Sequence, residues 1–154
     1  MKIEGSFEVD APRASVFRHI TDAGLMARCV PGCESIEPVS PTVYRAVVAI
    51  GIGAIQARFN LTVEITREDA PNEVLSRTRG EEGSRASMLS ADNAVRLVEL
   101  GAQRTRVDYA SDVSLTGRLG KFALGVMRKK IESLSAAFAD NFRREIQAGA
   151  GTPA

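Results

Sequence analysis

The side chains whose chemistry would be easiest to recognise are two cysteines and one histidine. Cys29 and Cys33 lie on either side of a Pro31-Gly32 turn in the stretch RCVPGCES. A structural zinc site usually has four Cys or His ligands, and these cysteines with His19 supply at most three. A thioredoxin-type motif has two residues between its cysteines, whereas this pair is separated by three. We therefore predict no metal site here, and the spacing disfavours redox chemistry.

Other catalytic arrangements also lack support in the sequence. His19 has no Ser, Cys or carboxylate paired with it, so we interpret it as a partly exposed helix residue. Glu64, Asp108 and Asp112 alternate with apolar neighbours and should point outward rather than form an acid–base pair. We assign no catalytic residue and predict that the protein is not an enzyme.

Composition limits the remaining function classes. A chain of 154 residues suffices for one domain with a real core. A net charge of +1, 5% aromatic residues and no Trp argue against nucleic-acid binding. The N-terminus lacks the apolar region of a signal peptide, and no stretch reaches the roughly 18 apolar residues of a membrane span. We expect a cytoplasmic protein, whose association with the inner face of the cell membrane would be peripheral.

The spacing of apolar residues predicts the elements that position these side chains. Residues 2–9 alternate as a strand, and two short helices follow over 10–20 and 23–30. Asp10 and Asp22 are the predicted N-caps of those helices. Strands are predicted at 42–52, 54–66, 73–80, 85–91, 94–100 and 104–115, with a tight turn at 51–53. Helical periodicity covers 118–147.

This order predicts an α+β fold in which a long, curved antiparallel sheet wraps around a long C-terminal helix. A 12-residue strand spans about 40 Å and a helix of about 29 residues spans about 43 Å. Elements of that length enclose a volume that becomes a cavity where side chains leave it unfilled. We predict a single domain over 1–147 and a flexible tail at 148–154.

The layout resembles the START/Bet v 1-like helix-grip fold, which implies an apolar ligand between sheet and helix. Inward positions of two strands and apolar positions of the last helix are the predicted lining of the cavity. They are Phe59, Leu61, Val63, Tyr109, Phe122, Val126, Met127 and Phe138.

Three segments carry a more specific resemblance. They are MKIEGSFEVDAP, DAGLMARCVPGCESIE and GVMRKKIESLSAAFADNFRREI. Together they resemble the CoxG family of carbon monoxide dehydrogenase accessory proteins over about residues 1–147, and CVPGCE is the most specific part.

That resemblance implies an accessory role beside a molybdenum–flavin–iron-sulfur enzyme, near the membrane, with a quinone as an attractive ligand. It implies no resident cofactor. It also makes the loop after the second helix a docking edge for the partner enzyme. The loop consists of Cys29, Val30, Pro31, Gly32, Cys33 and Glu34. The residues themselves leave open a second interpretation, in which two small, buried cysteines pack a turn.

The last helix is basic as well as amphipathic. Residues 117–147 contain seven basic and three acidic residues, a net charge of +4 in a chain whose total is +1. Lys121, Arg128, Lys129 and Lys130 accompany apolar neighbours, a pattern that suits an anionic membrane or an acidic partner. An ordinary core helix with a solvated face has the same pattern.

Three functions remain after these arguments. The first is a carrier that binds a quinone or lipid in the cavity. The second is an assembly or membrane-recruitment factor that acts by contacts with a molybdenum hydroxylase alone. The third, least supported by the residue inventory, is an enzyme that uses the same cavity.

Overall fold

The computed structural model describes residues 1–52, 54–83, 86–121 and 124–150. A 3-10 turn at Leu119–Lys121 precedes the last helix. In chain order, the elements of the described residues are β1 (Lys2–Val9), α1 (Arg13–Ile20), α2 (Ala23–Cys29), β2 (Cys33–Ser40), β3 (Val43–Ile52), β4 (Ile55–Asp69), β5 (Glu73–Glu82), β6 (Ser87–Gly101), β7 (Arg104–Gly117) and α3 (Leu124–Ala150).

Within the described residues, the strands form one seven-stranded antiparallel sheet. Its order is β1-β7-β6-β5-β4-β3-β2, so β1 and β2 are the two edges. Helices α1 and α2 carry the chain from one edge to the other. Strand β4 keeps the predicted alternation, because Ala57 and Phe59 are buried while Arg58 and Asn60 are exposed. The predicted α+β fold is confirmed.

Several boundaries differ from the expectation. The strands predicted at 85–91 and 94–100 are one strand, β6, because residues 92 and 93 pair with both β5 and β7. Strand β2 is not among the predicted strands, and it is an edge strand with Pro38 and two register shifts. The predicted turn at 51–53 includes Gly53, which lies outside the described residues.

The helix ends differ in one cap and in two boundaries. Asp10 is not the N-cap of α1, because that position belongs to Pro12 and has no side-chain cap. Asp22 does cap α2, and its carboxylate accepts a hydrogen bond from the backbone N–H of Leu25 at 3.2 Å. Helix α3 begins at 124 rather than 118 and continues to Ala150, so 148–150 are helical where a tail was expected.

One buried cluster fixes the C-terminal half of α3 against β1. Phe142 has no exposed surface, and its ring centroid lies 6.0 Å from that of Phe7. Phe138 stacks on Phe142 at 5.8 Å, and Tyr109 of β7 lies 6.4 Å from Phe7. Edge-to-face and stacked arrangements of this kind add stability beyond the area that they bury.

A second cluster lies at the other end of the concave face. It contains Ala57, Phe59 and Leu119, with Met127 packed against them. Leu119 belongs to the 3-10 turn before α3, so this cluster positions the beginning of the helix. The two clusters leave the middle of the sheet without a large aromatic side chain of its own.

We expect Phe142→Ala to lower the free energy of unfolding by about 3–5 kcal/mol, because it removes a ring from a closely packed cluster. Leu100→Ala is the matched control. Leu100 is 44% exposed, and its truncation should cost less than about 0.5 kcal/mol. Urea denaturation measures both variants, and similar midpoints would contradict a core anchored at Phe142.

Candidate functional site

A cavity of about 280 Å³ lies between the short helices and the inner face of the sheet. The end of α1, helix α2 and the loop after it form one wall, and strands β2 to β6 form the other. Most lining side chains are aliphatic. They include Ile20, Met26, Val30, Ile36, Val48 and Ile65.

Small residues at inward positions produce this space. Ala46 of β3 faces the cavity and pairs with Leu61 of β4, which in turn pairs with Gly80 of β5. A Cβ on Gly80 would come within 2.3 Å of Cδ2 of Leu61, so the leucine side chain occupies the room above the glycine. Ser76 and Thr78 are the next inward residues along β5, and they too are short.

Two of the predicted lining residues, Leu61 and Val63, line this cavity. Phe59 and Met127 belong to the second cluster, and Val126 is 49% exposed on α3. These three are not among the residues that surround the cavity.

Tyr109 and Phe138 pack against the first cluster instead. Phe122 lies outside the described residues. The difference has one physical cause, because the helical wall that the structure shows belongs to α1 and α2 rather than to α3. Ile20 and Met26, which sequence reasoning did not select, are apolar positions of those two helices.

The loop after α2 is a packed part of the wall. Val30 and Cys33 line the cavity, whereas the Cys29 side chain is fully buried in the first cluster. The carbonyl of Cys29 accepts a hydrogen bond from Nδ2 of Asn141 in α3 at 3.0 Å. Pro31 is half-buried, and the loop therefore joins α2, α3 and the cavity.

Gly32 fixes the loop against β3. Its φ is +78°, in the left-handed region that favours glycine. Its carbonyl accepts a hydrogen bond from the N–H of Ala49 at 2.8 Å. A Cβ on Gly32 would lie 2.1 Å from the carbonyl oxygen of Ala49, so no other side chain fits without movement of the backbone.

Glu34 begins the exposed side of the loop. Its two carboxylate oxygens accept hydrogen bonds from Nε and an Nη of Arg58 at 2.9 and 2.7 Å. These bonds lower the pKa of Glu34 and raise that of Arg58. Glu34 lies at a register shift between β2 and β3, and its pair reaches across β3 to β4 on the outer face.

Neither thiol is activated for chemistry. Burial raises the pKa of Cys29, and the nearby Glu145 adds to the effect against an opposing influence of Arg28. Burial also raises the pKa of Cys33, although a hydrogen bond to the carbonyl of Ser35 opposes it. Because the thiolate is the nucleophile and metal ligand, both cysteines are poor candidates for either role.

His19 lies away from the cavity wall, with its Nδ1 2.6 Å from the carbonyl oxygen of Ser15. No group of three His, Cys, Asp or Glu side chains that could hold a metal ion occurs in the described part of the chain.

The basic residues of α3 point mainly to solvent. Arg128 donates a hydrogen bond to the carbonyl of Lys2 at 3.0 Å. Lys129 is exposed and Lys130 is half-buried, while Lys121 ends the 3-10 turn. Across the described residues, no helix is both long and apolar enough to span a membrane.

A family model of the carbon monoxide dehydrogenase protein CoxG matches residues 5–147, which is most of the chain. The chain belongs to the CoxG family. A search of the curated proteins returns no match.

Solved structures support the fold of this CoxG family member. A conserved protein from Geobacillus kaustophilus matches with a TM-score of 0.89 at 21% identity, over 96% of each chain. A START superfamily protein from Mycobacterium smegmatis matches with 0.76 at 12% identity, over 96% of this chain and 97% of that one. The Zhui aromatase/cyclase from Streptomyces sp. R1128 matches with 0.72 at 16% identity, over 99% of each. At these identities the likeness concerns the fold, and it confirms the START/Bet v 1-like helix-grip architecture.

We expect Gly32→Ala to lower the free energy of unfolding by about 2 kcal/mol or more, because it combines a positive φ with a clash against the β3 backbone. Gly101→Ala is the control, since a Cβ there meets nothing within 4 Å. Thermal denaturation of both variants measures the difference. Equal melting temperatures would contradict a loop held tightly against β3.

Proposed function

We propose that this chain is a non-catalytic accessory protein of a carbon monoxide dehydrogenase-type molybdenum hydroxylase. In this role it binds an apolar ligand, a quinone or a lipid, in the cavity beneath α1 and α2 and links the enzyme to the membrane. The observation that carries the proposal is the composition of the wall. Among the described residues that line the cavity, none is charged and most are aliphatic.

The size of the cavity restricts how such a ligand would be held. Small-molecule sites commonly measure about 300–1,000 Å³, and 280 Å³ is close to the lower limit. A ring-sized head group or a short chain segment fits this space. The remainder of a long isoprenoid or acyl chain would lie outside the cavity, which suits a protein that takes its ligand from a membrane and releases it again.

The wall offers little for catalysis. Cys33 is the nucleophile nearest to a ligand, and burial raises its pKa, so its thiolate form is scarce near neutral pH. Among the described lining residues, no carboxylate or imidazole accompanies it. Acyl transfer, hydrolysis and cyclisation usually need a base or acid at the reacting atom. The lining therefore favours a binding protein over an enzyme.

The partner surface in this proposal combines two features. Gly32 and Glu34 are the exposed residues of the loop 29–34, and Arg128 and Lys129 are exposed on α3. A carrier must meet both an enzyme and a membrane, so two separate contact surfaces suit the role. Family membership supports the choice of a molybdenum hydroxylase as the enzyme.

An assembly or membrane-recruitment factor is the alternative function. It would use the same exposed loop and basic helix but would need no ligand. The two functions differ in whether purified protein contains an apolar molecule.

We expect an organic extract of protein purified from its native host to contain a quinone or lipid at a stoichiometric level. Val63→Phe should reduce the bound amount at least tenfold, because the larger ring enters a cavity of about 280 Å³. Mass spectrometry of the extract, normalised to protein, is the measurement.

Thr62→Phe is the matched control, because Thr62 is the preceding residue of β4 and is exposed on the outer face. It adds the same ring without entering the cavity and should keep the ligand. Absence of any apolar molecule from wild-type extracts, together with no thermal shift on addition of quinone, would favour the recruitment factor.

The basic segment of α3 (Arg128, Lys129 and Lys130) is expected to contribute to binding of anionic vesicles. Each Lys or Arg near such a surface contributes about 1 kcal/mol. Reversal of all three charges to Glu should therefore weaken vesicle binding by at least about tenfold. Sedimentation with vesicles that contain anionic lipid measures the loss.

A control variant reverses the same number of exposed charges elsewhere, at Arg18, Arg45 and Arg79. It keeps the net charge of the first variant but leaves α3 intact. If both variants bind vesicles equally, the effect is one of net charge and the basic segment is not the contact. Co-purification with the molybdenum hydroxylase separates a membrane role from a role in enzyme binding.

A further inference from the structure

Four polar side chains form a connected network on the inner face of the sheet. Nδ2 of Asn93 donates hydrogen bonds to Oγ1 of Thr78 at 3.0 Å and to Oγ of Ser76 at 3.3 Å. The hydroxyl of Ser111 donates to Oδ1 of Asn93 at 2.7 Å. All four side chains are half-buried. The network interrupts an inner face that is otherwise mainly apolar.

Strand register explains why these residues meet. Asn93 of β6 pairs directly with Ser76 of β5 on one side and with Ser111 of β7 on the other. Thr78 lies two residues after Ser76 and so projects from the same face. Ser76 and Thr78 also line the cavity. The network therefore connects the cavity wall to a polar row across three strands.

The hydrogen bonds assign a direction to the two hydroxyl groups at the wall. An Asn amide has two N–H protons, and Asn93 gives one to Ser76 and one to Thr78. Each hydroxyl uses an acceptor position in that bond and keeps its own O–H proton. Among the described residues, neither hydroxyl donates to a protein acceptor. Both protons are thus available to an acceptor atom inside the cavity.

Charge narrows the class of acceptor. The described lining residues contain no Lys, Arg or His that could neutralise an anion. An ionised carboxylate that leaves water for an apolar site without a counter-charge is strongly destabilised. A carbonyl or ether oxygen needs one or two donors and no charge, which is what the two hydroxyls supply.

We propose that Ser76 and Thr78, oriented by Asn93 and Ser111, select ligands whose head group is a neutral hydrogen-bond acceptor. Such a ligand is an otherwise apolar molecule with a carbonyl or ether oxygen, and anionic lipids such as fatty acids are disfavoured. Ser76 and Thr78 contact the ligand, while Asn93 and Ser111 are positioning residues. This inference rests on the proposed function, because it requires that the cavity bind an apolar molecule.

Three probes of nearly equal shape test the proposal by isothermal titration of the full chain. They are 2-acetylnaphthalene, which has a ketone, 2-ethylnaphthalene, which has no oxygen, and 2-naphthoate, which is anionic at pH 7. We expect wild-type protein to bind the ketone about three- to tenfold more tightly than the hydrocarbon, as one hydrogen bond implies. The naphthoate should bind at least tenfold more weakly than the ketone.

The variant with Ser76→Ala and Thr78→Val should lose the preference for the ketone and keep its affinity for the hydrocarbon. The control variant, with Thr62→Val and Ser90→Ala, removes two exposed hydroxyls from the outer face and should keep the preference. Thr78→Val alone is nearly isosteric, so it provides a milder test if the double variant does not fold. Asn93→Leu should weaken the ketone preference without direct contact with the probe.

The outcomes separate the two levels of argument. If the hydrocarbon binds wild-type protein but the ketone binds no better, the selection by Ser76 and Thr78 is wrong while the carrier function stands. Tighter binding of naphthoate than of ketone would overturn the selection in the same way. If none of the three probes binds, the cavity is not an apolar ligand site, and both the carrier function and this inference are overturned.

Discussion

The concave face of the long sheet offers more surface than its helices can cover with large side chains, and the rest of the structure depends on that mismatch. Protein interiors are normally filled to the density of organic crystals. Here α3 meets the sheet through Phe142 and Phe138 at one end, and the turn before it does so through Leu119 at the other. Between them, inward positions carry residues such as Ala46 and Gly80. A cavity in the middle therefore follows from the choice of small side chains.

The loop 29–34 shares its contacts between that cavity and the surface. Cys29 is buried beside α3, whereas Val30 and Cys33 face the cavity. Glu34, one residue later, is exposed and held by Arg58. Because one short segment forms the wall and reaches solvent, a partner that binds its outer side also acts on the wall. This arrangement gives the proposed docking edge a physical connection to the ligand, without any chemistry at the two thiols.

The sequence is most informative where one pattern dominates. Strict alternation in β4 identifies Leu61 and Val63 as inward residues, and the prediction of Asp22 as a cap is confirmed. Polar Asp92 and Asn93 suggest a break in β6, but pairing on both sides keeps them in the strand. The helical wall could not be predicted, since periodicity shows that a helix has an apolar side and not which part of the sheet that side covers. Tertiary packing decides that choice.

The two ends of the sheet differ in how easily they could open to a ligand. Beside the second cluster, the buried carboxylate of Glu82 accepts hydrogen bonds from Ser87 and from Arg118, just before the 3-10 turn. Ser87 also accepts from the N–H of Leu119. Separation of these groups would leave a buried charge without its partner, which is strongly destabilising. The cavity wall at Thr21 and Cys33 is half-buried and has no such ion pair among its described residues. Entry between α2 and β2 therefore disrupts fewer strong interactions than entry beside the start of α3, and it passes the same loop that the proposed partner would contact.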